Sequence, residues 1–497
     1  MSPTRRQFLA GAAALYPASL LAAPVPWPAW ADELRHRLDL MAAELTASAK
    51  PWQGPALTVR PEDFGHRPGQ DLSTKAIQAA IEAAAEKGGG TVLLSQGDYV
   101  SGTLDLRSNV QLRIGAGARL LASLSLADYP DRVAKRPTVM DSNMGMNQSL
   151  IFAEGCENIA LAGEGTIDGR GTQDHFSSPE GSGHTPGRPF LIRIIDCRRV
   201  HVQGLTLRDS ACWMQDYLNC DELLIEDLTV DNQANFNNDG CDIDGCRNVV
   251  VRNCLINSED DGLCFKLASE RPTERVLVEN CRLYSTCNPL KLGTDSQSLF
   301  RDVLVRNVEL GGPDETMRTL RRRHADSGIS WEIVDGGRAE NVLCTGIHIV
   351  RADTPFFLRL ADRGRVRPEE ARPSAGTLSR IVFDGVTGQD NGSRGSYFMG
   401  LPGHPIRDVA LRAVDLAVGA AETAPPHEAK IPEMGDVYPD ARMIKGPVPA
   451  YGLWARHVDG LTLRDVRFTP SAHESRPMIL ADFDVRGFRA DNFTGTR

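Results

Sequence analysis

The chain has no Cys-x-x-Cys pair and no histidine cluster, so a zinc site lacks a ligand set. It has no excess of basic charge. The formal net charge is −10 over 497 residues, and the chain beyond residue 31 carries −12, because residues 1–31 contribute only Arg5 and Arg6. That balance argues against nucleic acid as a partner. Past the N-terminus no apolar run is long enough to span a bilayer. With 41% hydrophobic and 24% charged residues the chain can build a large core, as one elongated domain or as several ordinary ones.

What is present begins with an export-like leader. Residues 1–31 carry Arg5-Arg6-Gln7-Phe8-Leu9, an apolar stretch through Leu21 and the small-x-small triplet Ala29-Trp30-Ala31. The paired arginines resemble a bacterial Tat signal, which predicts a periplasmic or secreted protein that leaves the membrane once the signal is removed. Residues 32–55 are expected to form an amphipathic helix over Asp32–Lys50 and a Pro/Gly-rich linker. Residues 56–497 are expected to form the catalytic domain. A second helix is predicted over Asp71–Lys87, ended by Gly88-Gly89-Gly90 and followed by short strands whose terminal coil it would cap.

From residue 156 one phrase recurs: a small or polar residue, polar residues, then alternating apolar positions. It ends on Ile159, Val200, Leu223, Val249, Val276, Val303, Val342, Ile381, Val409 and Leu461, at intervals of 41, 23, 26, 27, 27, 39, 39, 28 and 52 residues. Short intervals read as single coils, and long ones as coils with insertions or as two coils. The predicted fold is all-β, a right-handed parallel β-helix. The eleven cysteines fit the same picture, since Cys241, Cys264 and Cys287 recur every 23 residues and Cys254 and Cys281 lie 27 apart. Stacked small side chains explain that spacing at least as well as disulfides do. Segments 123–149, 170–189, 311–327, 361–378 and 417–450 break the pattern and are candidate cleft walls.

The chemistry concentrates in Asn237–Lys266. Asp239 precedes the pair Asp260-Asp261 by 21 and 22 residues, about one coil, so stacked strands would bring the three carboxylates together. Two-carboxylate glycoside hydrolysis with inversion uses carboxyl groups roughly 6.5–9.5 Å apart. Crowded carboxylates cannot all ionise cheaply, so one should retain a proton. Asp242 and Asp244, on the same coil, read as turn and strand residues.

The set Asp63-Phe64-Gly65, Gly88-Gly89-Gly90-Thr91-Val92, Gly165–Gly171, Asn238-Asp239-Gly240 and Asp260-Asp261 resembles glycoside hydrolase family 28, a family of polygalacturonases and rhamnogalacturonan hydrolases. The resemblance runs over roughly residues 57 to 490 and implies a right-handed β-helix that inverts the anomeric carbon without a cofactor or metal. It makes Asp260 the general acid and assigns Asp239 and Asp261 to the attacking water. It implies a pectic poly- or oligosaccharide as substrate; a monomer is also expected.

Two motifs depart from the resemblance. Cys287-Asn288-Pro289 stands where the family has Gly-His-Gly, and Gly328-Ile329-Ser330-Trp331-Glu332 stands where it has the Arg-x-Lys that grips a galacturonate carboxylate. Candidate replacements for substrate binding are Asn288, Lys291, Lys266, Glu332 and Arg359, with Arg363 as a further choice. The Arg318, Arg321, Arg322, Arg323 cluster reads as a solvated loop or a magnet for an acidic polymer. Trp213 and Trp331 are candidate sugar platforms or core residues. Competing readings are a calcium-dependent pectate-lyase-type β-elimination and a non-catalytic carbohydrate-binding β-helix.

Overall fold

The computed structural model describes residues 25–138, 147–178, 186–366 and 371–492. Among these described residues strands dominate, accompanied by two α-helices, and every strand-to-strand ladder is parallel. Successive coils stack so that each strand pairs with its counterpart one coil away, which gives a parallel β-helix with three faces. Such ladders need no edge except at the two ends.

One face shows how the sequence fills the interior. Strands Gln215–Leu218, Cys241–Asp244, Leu263–Leu267, Leu290–Ser296, Ala325–Ile333 and Ala352–Leu360 run in register. Tyr217, Ile243, Phe265, Leu292, Trp331 and Leu358 stack in one inward row, and all are buried. Trp331 is therefore a core residue rather than a sugar platform, because its register points it inward between Leu292 and Leu358.

The recurrent phrase has a backbone cause. The residue just before each conserved-phase apolar position has positive φ: Asn158, Arg199, Glu222, Asn248, Arg275, Asp302, Asn341, Arg380 and Asp408 at 53–62°, then Gly460 at 83°. The ladders skip these residues, passing from Asp221↔Arg247 directly to Leu223↔Val249. Each coil thus turns this corner through a single left-handed residue, a conformation that disfavours β-branched side chains and suits Asn, Asp and Gly.

The second face is apolar on both sides. Leu223, Val249, Val276, Val303, Val342, Ile381 and Val409 point into the core. Their neighbours Leu224, Val250, Leu277, Leu304, Leu343, Val382 and Ala410 point out, under α1 (Ala29–Ser48). Strands covered on both faces read as continuous apolar runs. The helix lays Ala31, Leu34, Leu38, Met41, Ala42 and Leu45 along that stripe and pairs Arg37 with Asp302 and Glu44 with Arg275, both at 2.9 Å. α1 begins three residues before the expected start, directly after Pro28, whose fixed φ suits a helix entry. The expected cleavage triplet Ala29-Trp30-Ala31 forms its first turn, and the twin arginines lie outside the described residues. The second helix, α2 (Thr74–Glu86), sends Ile77, Ala80, Ile81 and Ala84 into the first coils of the core.

All eleven cysteines are free. Cys156, Cys197, Cys220 and Cys246 stack at one corner, where the Cys156 and Cys220 amides donate to the sulfurs of Cys197 and Cys246 at 3.3 and 3.2 Å. Cys241 and Cys264 do not stack. Cys241 pairs with Leu263 and faces the core, whereas Cys264 pairs with Asp242 and Lys291 and faces outward. The coil between them is one residue shorter than their spacing, and a one-residue offset sends a strand residue to the opposite face.

The left-handed corner yields a stability prediction. Asp408→Gly removes the positive-φ cost at Asp408 and should leave the thermal midpoint unchanged or raise stability by up to about 1 kcal/mol. Gly460→Val puts a β-branched residue at the same corner and should destabilise by about 1–2 kcal/mol. Thermal unfolding of the two variants beside the parent checks both, and equal effects would refute the corner account.

Candidate active site

Two stacked Asp-Gly steps build the site. The Gly240 amide donates to the Asp261 carbonyl at 2.8 Å, and the Gly262 amide donates to the Asn288 carbonyl at 2.8 Å, so Asp239, Asp261 and Asn288 lie one above another on successive coils. Glycine is required after each aspartate. A Cβ on Gly240 would stand 2.7 Å from the Gly262 carbonyl oxygen, and one on Gly262 would stand 2.5 Å from that of Pro289.

The loop before Asp239 is fixed by Asn238, which is fully buried. Its amide nitrogen donates to the Ser210 and Cys212 carbonyls at 2.9 and 2.8 Å, while its oxygen accepts from the Ala234 and Asn235 amides at 3.0 and 2.6 Å. Asn237 reaches forward, donating to Asp260 Oδ2 at 3.3 Å, and is itself held by Arg188 at 3.0 Å.

The structure brings the three expected carboxylates together. Oxygens of Asp239 and Asp261 lie within 4.8 Å of each other, as do oxygens of Asp260 and Asp261. Asp261 is clamped from both sides, accepting from Asn288 Nδ2 at 2.7 Å on Oδ1 and pairing with Lys291 Nζ at 3.0 Å through Oδ2. Lys266 Nζ sits 3.1 Å from Asp242 Oδ1 and 3.8 Å from Asp239 Oδ2, over the Trp213 ring at 4.5 Å.

Burial sets the electrostatics. It lifts Asp239 well above the usual carboxylate range, helped by the charges of Asp242 and Asp260. It raises Asp242 to about 7 against the pull of Lys266. Glu332, also buried, is raised to about 7 by burial, against Lys291 and the Ser330 hydroxyl that donates to it at 2.6 Å. Burial disfavours the charge on Lys266 and Lys291, but the surrounding carboxylates, Asp242 and Asp261 foremost, outweigh it and hold both pKa values well above normal.

Other expected residues fall elsewhere. Arg359 is buried, and its guanidinium donates to the Met399, Gly400, Glu433 and Met434 carbonyls at 3.3, 3.5, 2.7 and 2.8 Å, so it anchors the 417–450 insertion rather than facing a sugar. Arg363 is bonded to Asp335 at 2.9 Å through Nε. The arginine cluster is partly exposed yet paired: Arg318 pairs with Asp231 at 2.8 Å and with Asp209, Arg321 with Glu259, and Arg322 with Asp353 at 3.1 Å and with Asp326. Arg318 and Arg321 strap the 311–327 insertion onto Asp209, Asp231 and Glu259 of earlier coils, and Arg322 ties it to Asp353 of a later one. The 417–450 insertion packs Ile431, Ala441, Ile444 and Val448 on Phe357, Tyr397 and Trp454, beyond the site.

Sequence reasoning missed Tyr438, which is exposed and whose hydroxyl lies within electrostatic reach of Lys291, Glu332, Asp261 and Asp260. It sits in an insertion without periodicity, so no pattern could place it. The same holds for Arg442, which bridges Asp440 at 2.9 Å and Asp326 at 3.1 Å. Cys264 and Cys287 each stand within 4.8 Å of two of the carboxylates, a spacing that metal ligands share. In both groups a lysine already supplies positive charge: Lys266 lies 3.4 Å from Cys264 Sγ and Lys291 3.0 Å from Asp261. A cavity of about 730 Å³ lies instead between the end of α1 and Arg199, His201 and Glu222.

Glu332 gives a stability prediction with a definite sign. Its folded pKa of about 7 exceeds its ordinary 4.5, so its contribution is fully present below about 4.5 and is lost as pH rises through 7. Glu332→Gln should therefore narrow the fall in thermal midpoint between about pH 5 and about pH 8, by the equivalent of at most roughly 3 kcal/mol. An unchanged fall would place the titration elsewhere.

Comparison with known proteins agrees with this geometry. Residues 95–314, which include all three carboxylates, match the family model described as glycosyl hydrolases family 28. A probable polygalacturonase of Vitis vinifera is 24% identical over 379 residues, covering 72% of this chain and 74% of that protein. A polygalacturonase of Ralstonia solanacearum is 25% identical over 379 residues, covering 67% and 69%. The structure of an exopolygalacturonase from Thermotoga maritima superposes with a TM-score of 0.64 at 19% identity, covering 77% of this chain and 91% of that one. Sequence match over residues 95–314, coil architecture and clustered aspartates alike support a glycoside hydrolase similar to glycosyl hydrolases family 28.

Proposed function

We propose that the protein is an exported, inverting hydrolase of pectic polysaccharide or its oligomers, with polygalacturonase-like or rhamnogalacturonan-hydrolase-like specificity, acting from a right-handed coil. The observation that carries the reading is the shared pocket of Asp239, Asp260 and Asp261. Oxygens of Asp239 and Asp261 within 4.8 Å can both accept from one water, since two O–H···O bonds span up to about 5.5 Å. One such water would be aimed and deprotonated by the pair, while Asp260, oriented by Asn237, protonates the leaving oxygen. The lifted pKa of Asp239 favours a second assignment within the same reaction, in which Asp239 carries the proton in the free enzyme.

No helix among the described residues is long and apolar enough to cross a membrane. Among the relatives, the Thermotoga protein is named an exopolygalacturonase, and the insertions flanking the site here support exo or oligosaccharide action.

Asp260→Asn and Asp239→Asn should each lower kcat by about 10²–10⁴ on pectic oligomers, measured by reducing ends. On an aryl glycoside, whose leaving group needs no proton, only the variant of the true acid should recover activity. NMR of the first-formed anomer should show inversion. An unsaturated, ultraviolet-absorbing product would instead establish β-elimination, and full activity in both variants would refute the site.

A further inference from the structure

We infer that Lys266 and Lys291 are internal counter-ions of the buried carboxylates, and that the sugar whose anomeric carbon reacts among Asp239, Asp260 and Asp261 is neutral, without a carboxylate of its own. The inference rests on the hydrolase reading above and narrows its substrate.

Both ammonium groups are buried and already bonded. Lys291 Nζ lies 3.0 Å from Asp261 Oδ2, and Lys266 Nζ lies 3.1 Å from Asp242 Oδ1 and 3.8 Å from Asp239 Oδ2. A uronate arriving here would have to share ammonium groups with carboxylates that hold them at contact distance. The carboxyl groups of Asp239, Asp242, Asp260, Asp261 and Glu332 crowd the two lysines, so another carboxylate would be desolvated among them with both ammonium groups already engaged.

The surroundings do not redress the balance. Arg442 bridges Asp440 and Asp326 at 2.9 and 3.1 Å, Arg321 is paired with Glu259, and Arg359 is bonded to backbone carbonyls. What the pocket does offer is oxygen acceptors. Asp239 Oδ1 and Glu332 Oε2 have no hydrogen-bond partner among the described residues, and both side chains are more than nine-tenths buried. Ionised or protonated, such carboxyl groups bond the hydroxyls that every sugar carries and need no sugar acid to be satisfied.

Three sets of oligomers test the inference on the unaltered protein: galacturonate oligomers, the same oligomers after reduction of their carboxyl groups, and rhamnogalacturonan oligomers with rhamnose at the non-reducing end. Neutral sugar should be released from the second or third set at least about tenfold faster than galacturonate from the first. Fastest release of galacturonate would overturn the inference while leaving the hydrolase reading intact. No release from any set would overturn both. Lys291→Met, assayed on the best substrate, separates the roles of the lysine. A counter-ion of Asp261 lowers kcat with KM little changed. A rise in KM confined to galacturonate oligomers would show Lys291 gripping a sugar acid and would sink the proposal.

Discussion

Parallel hydrogen bonding from coil to coil is the constraint on which the rest depends. It ties each residue's neighbours to the length of the coil rather than to adjacency along the chain, and so converts a 22-residue separation into the contact between Asp239 and Asp261. The ladder holds that register only because each coil also turns its corner through one left-handed residue, which is skipped in the pairing. A coil that lost or gained a residue would turn Ile243 and Phe265 outward and the site's acids into the core. Register and chemistry are therefore one specification.

Burying carboxylates is the second demand, and it explains the shape of the site's outer shell. An isolated ionised carboxylate inside a protein is costly, so such groups pair, bond or keep a proton. Each device is present here: Asp261 is paired and bonded, Asp242 is paired with Lys266, and Asp239 is pushed toward protonation. Asn288 shows how a departure from the family pattern can be absorbed. It donates to Asp261 and accepts from Ser327 at 2.7 Å, orienting a carboxylate without adding charge to a place where charge is already contested.

The parts of this protein legible in its sequence are those set by periodicity. The phrase ending on Val249, Val276 and Val303 announced the coil, and the spacing of Asp239 from Asp260-Asp261 announced the pocket, because both follow from coil length alone. Cys241 and Cys264 misled by the same logic: their 23-residue interval is one residue off the local coil, and one residue inverts the face. Trp331 was ambiguous because an aromatic at a strand position looks alike whether it points in or out. Arg359, Tyr438 and Arg442 were beyond reach for a different reason. Arg359 bonds to an insertion without a period, and Tyr438 and Arg442 lie in that insertion, whose path is fixed by packing on Phe357, Tyr397 and Trp454 rather than by any repeat.

The insertions in turn explain why so many arginines stand near an acidic cleft without serving it. A loop lying on a β-helix cannot extend the ladder, so it must be fastened by side chains. Arginine suits that task, because one planar guanidinium reaches several acceptors in a fixed fork. Arg318 fastens one wall to Asp209 and Asp231, and Arg359, from the coil, holds another by the Glu433 and Met434 carbonyls. Cations engaged in this way hold the cleft's walls in place and leave its floor to the aspartates. The electrostatic character that a sugar meets is then set by the carboxylates and their two lysines, and only slightly by the abundance of arginine in the chain.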